Sequence, residues 1–237
     1  MRNVAPTISH DHRPISVVIP AAGFGSRMKS YGPKPLLQIK ENLTIIDNQL
    51  KYIHKYLYRP EIVLVTGYES RLVESAVKKY KNLTVVNNED WETTNVVSSI
   101  GIGLKHAEHE NVLVIYGDLV FNAWTLKVAM GPYSFVLADK KGYMKKEEVG
   151  CIVQSNMLEN MMYGLDIKWA QIAYFTGFEL ELLKKFATDK NYNMCYGFEI
   201  INQILGLGGK FAVYSNPRMR IMDIDSSRDL NRIEEII

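Results

Sequence analysis

The segment from Val17 to Pro35 constrains the fold of this chain more than any other stretch. It reads VVIPAAGFGSRMKSYGPKP, an apolar run followed by a loop of small residues and then by two cations, Arg27 and Lys34. A loop without bulky side chains lets backbone N–H groups close on phosphate oxygens, and nearby cations neutralise the charge of those oxygens. The segment therefore predicts a nucleoside triphosphate bound at the end of the first β-strand.

The composition narrows the class of protein. The 237 residues are 47% hydrophobic and 23% charged, and the formal net charge is +2. A balanced charge does not favour a nucleic-acid or membrane surface, which usually shows clustered basic residues. The two cysteines form no Cys-x-x-Cys pair, and no run approaches the ~18 apolar residues of a membrane span. We expect a cytoplasmic monomer or homodimer with free thiols and with no nucleic-acid or membrane partner.

The first half of the chain alternates between strand-like and helix-like segments. Short runs rich in Val, Ile and Leu predict strands at 16–20, 61–66, 83–86 and 111–116, and apolar spacing predicts helices at 45–57, 71–80 and 95–107. This order predicts an α/β fold with a doubly wound sheet, in which ligands bind outside the carboxyl ends of the strands. We expect the Gly23 loop, residues 66–68 and Gly117-Asp118 to converge there.

The second half is less regular. We expect strands at 133–138, 149–154, 170–176 and 219–224, helices at 178–186 and 198–205, and a last helix opened by a capping box at 226–229. The charged segment 140–148 is predicted to be a solvated loop. Since no linker or repeat is visible, we predict a flexible arm (1–14) and one domain (15–237). That domain would comprise a nucleotide-binding half (15–130) and an acceptor-binding half (131–237).

Two well-known phosphate-binding loops do not fit the glycine segment. A dinucleotide fingerprint would have a third glycine where Met28 stands, and an acidic residue at the end of the second strand. A P-loop would need Gly-Lys-Ser/Thr. An ordinary strand-to-helix turn explains the glycines alone. Pro33 and Pro35, however, stiffen the backbone around Lys34 and favour a functional role for its amine.

Three aspartates are candidate metal ligands. Asp118 directly follows an apolar strand, and Mg²⁺ prefers carboxylate and phosphate oxygens. The alternative is that Asp118 caps a helix over 122–130. Asp223 and Asp225 share one face if their segment is an extended strand, so both could face a metal opposite Asp118. Alternatively, these two acids only begin the last helix.

Residues 21–28, together with Pro33-Lys34-Pro35, resemble the signature of the nucleotidyltransferase superfamily, G-x-G-x-R-[ML] followed by P-K. Its members include sugar-1-phosphate nucleotidyltransferases and phosphocholine cytidylyltransferases. The resemblance implies a Rossmann-like doubly wound mixed sheet of the nucleotide-diphospho-sugar transferase (GT-A-like) type. It assigns Arg27 to the leaving β- and γ-phosphates and Lys34 to the α-phosphate. It also implies that the nucleotide is bound by Ala21, Ala22, Gly23, Phe24, Gly25 and Ser26.

The resemblance also implies a Mg²⁺ site. In the family, the Asp of a Gly-Asp pair binds the metal, and Asp118 matches it. A late segment of the type D-x-[DG]-[ST]-x-x-D-L matches residues 223–230. Asp223 fits the metal-binding position most closely, and Asp225 is expected to assist.

Residues 95–100 bear on the choice of substrates. Sugar-type members usually carry Q-x-x-x-L-G-T-A here, whereas this chain reads NVVSSI. That is more similar to the N-x-x-S-L segment of cytidylyltransferases that act on phosphocholine. We therefore expect CTP and a small, phosphocholine-like phosphorylated acceptor, with Asn95 and Ser99 near the base or the acceptor. A helix start capped by Asn95 fits the same residues.

Other residues are weaker candidates for binding the acceptor. Lys168 is a weak candidate for contact with the acceptor phosphate. Tryptophan and tyrosine rings could enclose a quaternary ammonium by cation–π attraction, although the sequence does not say which rings.

The expected reaction joins an NTP to the acceptor and releases pyrophosphate. The acceptor phosphate is already largely dianionic at neutral pH, so it can attack the α-phosphorus without a general base. Three alternatives stay open at this point. One is a sugar-1-phosphate uridylyl-, thymidylyl- or guanylyltransferase. Another is a metal-dependent GT-A glycosyltransferase, given the Asp-x-Asp spacing of Asp223 and Asp225, and the third is a non-catalytic nucleotide-binding module.

Overall fold

The computed structural model of the protein describes residues 13–25, 32–140 and 146–237. The strands in these ranges are β1 (Ser16–Pro20), β2 (Gln38–Lys40), β3 (Leu43–Thr44), β4 (Glu61–Thr66), β5 (Leu83–Asn87), β6 (Asn111–Ile115), β7 (Leu119–Phe121), β8 (Phe135–Asp139), β9 (Val149–Gln154), β10 (Met157–Tyr163), β11 (Lys168–Thr176), β12 (Ala212–Tyr214) and β13 (Ile221–Asp223). The helices are α1 (Ile45–Tyr56), α2 (Ser70–Val77), α3 (Val96–Leu104), α4 (Gly177–Thr188), α5 (Gly197–Gly206) and α6 (Ser227–Leu230). Among these described helices, none has both the length and the apolar character that crossing a membrane requires.

Nine of the strands form one mixed sheet in the order β5-β4-β1-β6-β11-β8-β12-β10-β9. The first four strands of that order are parallel, and β11 runs antiparallel to β6. Successive apolar residues of β1 bury both faces of the sheet, because Val17 and Ile19 pack on one side and Val18 packs on the other. This arrangement confirms the predicted Rossmann-like doubly wound mixed sheet.

The helices cover the two faces of the sheet. On one face, α1 contributes Ile46, Leu50 and Ile53 to a core shared with β1 and β4. On the other face, α3, α4 and α5 form the second core. A capping box between Thr44 and Asp47 begins α1 and sets its orientation.

The strands of the second half of the chain turn back on one another. β11 pairs with β8 along much of its length and also meets β9 at the pair Lys168–Gly150. The strands β8, β12, β10 and β9 therefore lead back to β11 and close a ring. The register of β11 shifts between Trp169 and Ala173, and Gln171 there has a φ of +55°. Such a bulge bends a strand, here beside the cleft described below.

Several sequence expectations need correction. The predicted helix 71–80 ends at Val77, because Tyr80 leaves the helix and its hydroxyl donates to the Asp47 carboxylate. The predicted strand 219–224 is only Ile221–Asp223, so alternation along a strand does not present both late aspartates. Residues 122–130 contain turns and no helix, which removes the alternative that Asp118 caps a helix there. The capping box of Ser226 and Asp229 is confirmed.

Candidate active site

A cleft of about 400 Å³ opens at the carboxyl ends of the parallel strands. The loop after β1 forms one wall, the segment 88–99 after β5 forms a second, and residues 116–118 after β6 form the floor. The beginnings of β11 and α5 close the far end. The cleft therefore lies where the doubly wound topology predicts a ligand.

Backbone hydrogen bonds hold the glycine loop in place. The N–H of Ala21 donates to the Val65 carbonyl at 2.8 Å, and the N–H of Tyr68 donates to the Ala22 carbonyl at 3.0 Å. Gly25 has a φ of +58°, and a Cβ there would lie 2.8 Å from Lys34 Cε. Both the left-handed backbone conformation and the lysine that packs on this position favour glycine at position 25.

The predicted nucleotide-binding residues of this loop occupy two environments. Ala21, Ala22, Gly23 and Gly25 line the cleft. Phe24 packs edge-on against Tyr68, with 4.5 Å between the ring centroids. Trp91 lines the cleft, and its ring centroid lies 5.7 Å from that of Tyr68, so the three rings form one group. Ser26 and Arg27 lie outside the described residues, so their predicted roles stay predictions.

Lys34 lies between two of the three predicted metal ligands. Its Nζ donates to Asp118 Oδ2 at 2.9 Å and to Asp225 Oδ1 at 2.7 Å. Burial alone would lower the pKa of Lys34, but the two carboxylates outweigh it and raise the pKa above the ordinary 10.5. Burial raises the pKa of Asp118, and the charges of Asp223 and Asp225 add to that rise while Lys34 opposes it. The ammonium thus stays protonated and offsets one of the two carboxylate charges at the floor of the cleft.

A second ammonium group lies beside the first. Lys168 Nζ donates to Glu148 Oε1 at 2.5 Å and to Asp223 Oδ1 at 3.0 Å, and all three side chains are 9% exposed. Burial alone would lower the pKa of Lys168, but Asp223 and Glu148 raise it. The prediction that 140–148 is a solvated loop is therefore wrong for Glu148, which is buried against a lysine; residues 141–145 lie outside the described ranges. Lys168, a weak candidate for the acceptor phosphate, is engaged with two carboxylates.

The carboxylates fit a magnesium ion in a particular way. Asp118, Asp223 and Asp225 all line the cleft. Among the described residues, no group of three or more His, Cys, Asp or Glu side chains is arranged so that it could hold a metal ion without other ligands. Mg²⁺ is usually held by one or two carboxylates together with substrate phosphates rather than by an all-protein cage. The donor set, all carboxylate oxygen, therefore fits an ion that arrives with a nucleotide.

The wall formed by 88–99 is organised by a residue that the sequence analysis missed. Asn88 is buried at the end of β5, and its Nδ2 donates to Thr94 Oγ1 at 3.2 Å and to Ser99 Oγ at 3.1 Å. Asn95 caps α3, since its Oδ1 accepts from the Val96 N–H at 2.8 Å. The capping alternative for Asn95 is thus confirmed, and Asn95 and Ser99 both line the cleft. The position of Asn88 at a strand end was its only sequence signal.

The far end of the cleft is aromatic and acidic. Tyr116 packs edge-on against Trp169, with ring centroids 5.6 Å apart. Tyr163 and Tyr196, which are 48% and 50% exposed, both pack on Phe198. The acidic groups at this end of the cleft are Glu147 and Glu148.

Comparison with known proteins gives the family. Residues 17–133 match the MobA-like NTP transferase domain. The bifunctional protein GlmU of Francisella tularensis subsp. novicida (strain U112) is 36% identical over 105 residues, which are 44% of this chain. The matched part is 22% of that relative's length, so the part of this chain that matches spans about a fifth of the relative.

Solved structures share the fold over nearly the whole chain. CTP:phosphocholine cytidylyltransferase from Streptococcus pneumoniae (LicC) has a TM-score of 0.75 and 18% identity, covering 94% of this chain and 98% of its own. The inositol-1-phosphate CTP transferase from T. maritima has a TM-score of 0.78 and 16% identity, with coverage of 96% and 98%. A nucleoside-diphosphate-sugar pyrophosphorylase from Vibrio cholerae RC9 has a TM-score of 0.71 and 14% identity, with coverage of 92% and 99%.

The fold and the domain match define a nucleotide-transferring class of enzyme. Residues 17–133, just under half of the chain, match the MobA-like NTP transferase domain, and the whole chain is similar in fold to nucleotidyltransferases. The resemblance seen in residues 21–35 is thereby confirmed.

Proposed function

We propose that this chain transfers a nucleotidyl group from an NTP to a small phosphorylated acceptor and releases pyrophosphate. CTP and a phosphocholine-like acceptor are the substrates that we propose it favours. The observation that carries the proposal is the meeting of three features in one cleft: the glycine loop, Lys34 with its carboxylates, and an aromatic, acidic far end.

The nucleotide would lie at the glycine-loop end. Backbone groups of 21–25 would contact the base and phosphates, while the rings of Phe24, Tyr68 and Trp91 pack together beside that loop. The segment 88–99 would lie against the base. The proposed contact of Arg27 with the β- and γ-phosphates rests on the family resemblance.

Catalysis would rest on positioning and on charge neutralisation. An acceptor phosphate oxygen attacks the α-phosphorus in line, and pyrophosphate leaves on the opposite side. Lys34 would exchange its carboxylate contacts for the α-phosphate, where charge builds in the transition state. Asp118, with Asp223 and Asp225, would hold Mg²⁺, which when bound neutralises charge on the phosphate oxygens.

The far end of the cleft favours a cationic acceptor. Aromatic faces attract quaternary ammonium groups, and Glu147 adds negative charge at this end of the cleft, whereas the charge of Glu148 is offset by Lys168. Two of the structural neighbours are named for CTP, which supports the proposed base. A neighbour named for nucleoside-diphosphate sugars keeps a sugar 1-phosphate as the second candidate acceptor.

A matrix of substrates tests the proposal. CTP, UTP, dTTP and GTP are each paired with phosphocholine, inositol 1-phosphate and glucose 1-phosphate, and pyrophosphate release is followed with and without Mg²⁺. We expect the highest kcat/KM for CTP with phosphocholine and no release without the metal. Higher activity of UTP or dTTP with glucose 1-phosphate would identify the sugar branch. Nucleotide binding without release from any pair would indicate a non-catalytic module.

Substitution of Lys34 tests the assigned chemistry. We expect Lys34→Ala to lower kcat by about 10² or more, as expected when one electrostatic contact to the transition state is removed. Lys184→Ala is the control, because Lys184 makes only an exposed ion pair with Glu181. An unchanged kcat in Lys34→Ala, with Lys184→Ala also unchanged, would remove Lys34 from the mechanism.

A further inference from the structure

Gln49 is a buried polar residue with an unusual set of partners. It lies on α1, is 0% exposed, and does not reach the cleft. Its Nε2 donates to the Tyr116 carbonyl at 2.9 Å and to the Leu119 carbonyl at 2.9 Å. These two carbonyls flank Gly117 and Asp118, so a single side-chain amide clamps both sides of the turn that carries Asp118.

The other end of the same amide is unsatisfied. Gln49 Oε1 is buried and has no hydrogen-bond partner among the described residues. Flipping the amide does not help, because its oxygen would then face two carbonyl oxygens. A buried acceptor without a partner is destabilising, so a methionine or leucine would suit the apolar surroundings better. The two hydrogen bonds that Nε2 donates to the turn therefore explain why a glutamine stands at this position.

The remaining contacts of the turn come from other directions. The Gly117 N–H donates to the Pro20 carbonyl at 3.0 Å, and a Cβ on Gly117 would lie 2.5 Å from Ala21 Cβ. On the opposite side, the Ile224 N–H donates to the Asp118 carbonyl at 3.0 Å. These contacts tie the turn to the glycine loop and to the segment of the late aspartates. Gln49 ties it to α1, and thereby to the rigid core of the sheet.

We infer that Gln49 is a positioning residue that fixes the turn of residues 116–119 and so aims the Asp118 carboxylate at the ligands of the cleft. This inference rests on the proposed function for the part that concerns catalysis. The clamp itself, an amide bonded to two carbonyls, is independent of that function. Outer residues that orient metal ligands typically change metal affinity or activity by about 10–100-fold when they are replaced.

Gln49→Met tests the inference, because methionine has a similar volume and no hydrogen-bond donor. We expect kcat for pyrophosphate release to fall about 10-fold or more, and the dissociation constant of Mn²⁺, followed by electron paramagnetic resonance of the free ion, to rise about 10-fold or more. Hydrogen–deuterium exchange should be faster in the peptide that contains residues 116–121.

Ile53→Val is the matched control. Ile53 lies on the same helix, is equally buried, and packs in the core without contacting the turn through a hydrogen bond. The Ile53→Val substitution should lower the stability of the fold while leaving kcat, Mn²⁺ affinity and hydrogen–deuterium exchange at 116–121 unchanged. If Gln49→Met does not fold, Gln49→Leu is measured in its place.

The outcomes separate the two proposals. Unchanged exchange at 116–121 together with unchanged Mn²⁺ affinity in the folded variant would overturn the role of Gln49. If the wild-type protein releases no pyrophosphate from any substrate pair, the proposed function fails, and hydrogen exchange still decides whether Gln49 holds the turn.

Discussion

Replacing Lys168 by methionine should destabilise the protein strongly, because this change removes the cation that lies between two buried carboxylates. The Nζ is 2.5 Å from Glu148 Oε1 and 3.0 Å from Asp223 Oδ1, and each side chain is only 9% exposed. Removing one member of a buried ion pair typically costs about 3–5 kcal/mol. In a domain of this size, 1 kcal/mol corresponds to about 2–4 °C, so we expect Tm to fall by about 6–20 °C at pH 7.

The loss of stability caused by Lys168→Met should depend on pH in a defined direction. Burial alone would lower the pKa of Lys168, but Asp223 and Glu148 raise it above the ordinary 10.5. The contribution of its charge is therefore fully present below pH 10.5 and is lost only as the pH rises through the folded-state pKa. The difference in Tm between wild type and Lys168→Met should therefore be constant from about pH 6 to 9.

The assay is thermal unfolding by circular dichroism at pH 6, 7 and 9 for wild type and variant. Lys184→Met is the control, because Lys184 and Glu181 are 41% and 71% exposed and such a pair contributes at most about 1 kcal/mol. A fall in Tm of less than about 3 °C at pH 7, with the control unchanged, would refute the reasoning from burial.

Two further predictions concern single side chains elsewhere in the fold. Asp47→Ala should lower the free energy of unfolding in urea by about 1–2 kcal/mol at pH 7, since Asp47 belongs to the capping box of α1. Burial alone would raise the pKa of Asp47, but hydrogen bonds from Thr44, Tyr80 and Lys79 lower it to about 2. Its contribution is thus present above the ordinary 3.8 and is lost as the pH falls towards 2, so a deficit that grew in acid would contradict this. Gly197→Ala should cost about 1–3 kcal/mol in the same assay, because its Cβ would lie 2.3 Å from Tyr116 Oη, whereas Gly206→Ala, with open space around it, should cost less.

Much of the fold could be predicted because apolar runs and their ends are local signals. The strand at 16–20 and those at 61–66 and 149–154 have the predicted bounds. Since β1 and β4 are buried on both faces, their composition alone separates them from the amphipathic helices that follow them. The positions of the glycine loop and Asp118 then follow from topology, because both come directly after parallel strands.

Partnerships between distant side chains could not be predicted in this way. Periodicity assigns a residue to a face and does not say which residue it meets. Glu148 looked solvated because it ends a charged run, and only the pairing of β9 with β11 brings it to Lys168. Gln49 gave no signal, because one polar residue in an amphipathic helix normally faces water. The roles assigned to Arg27 and Ser26 stay predictions.

The ring of strands β8, β12, β10, β9 and β11 has a consequence for association with other chains. Because β9 meets both β10 and β11, the nine-stranded sheet has no wholly unpaired strand at that end, and its open edge is β5. An unpaired strand edge is a template for aggregation, and natural proteins protect such edges with short strands and lysines. β5 has five residues and follows Lys78, Lys79 and Lys81. Within the described parts of the chain, the ring of strands that closes the far end of the cleft thus leaves β5 as a short, lysine-flanked edge at which foreign strands could add.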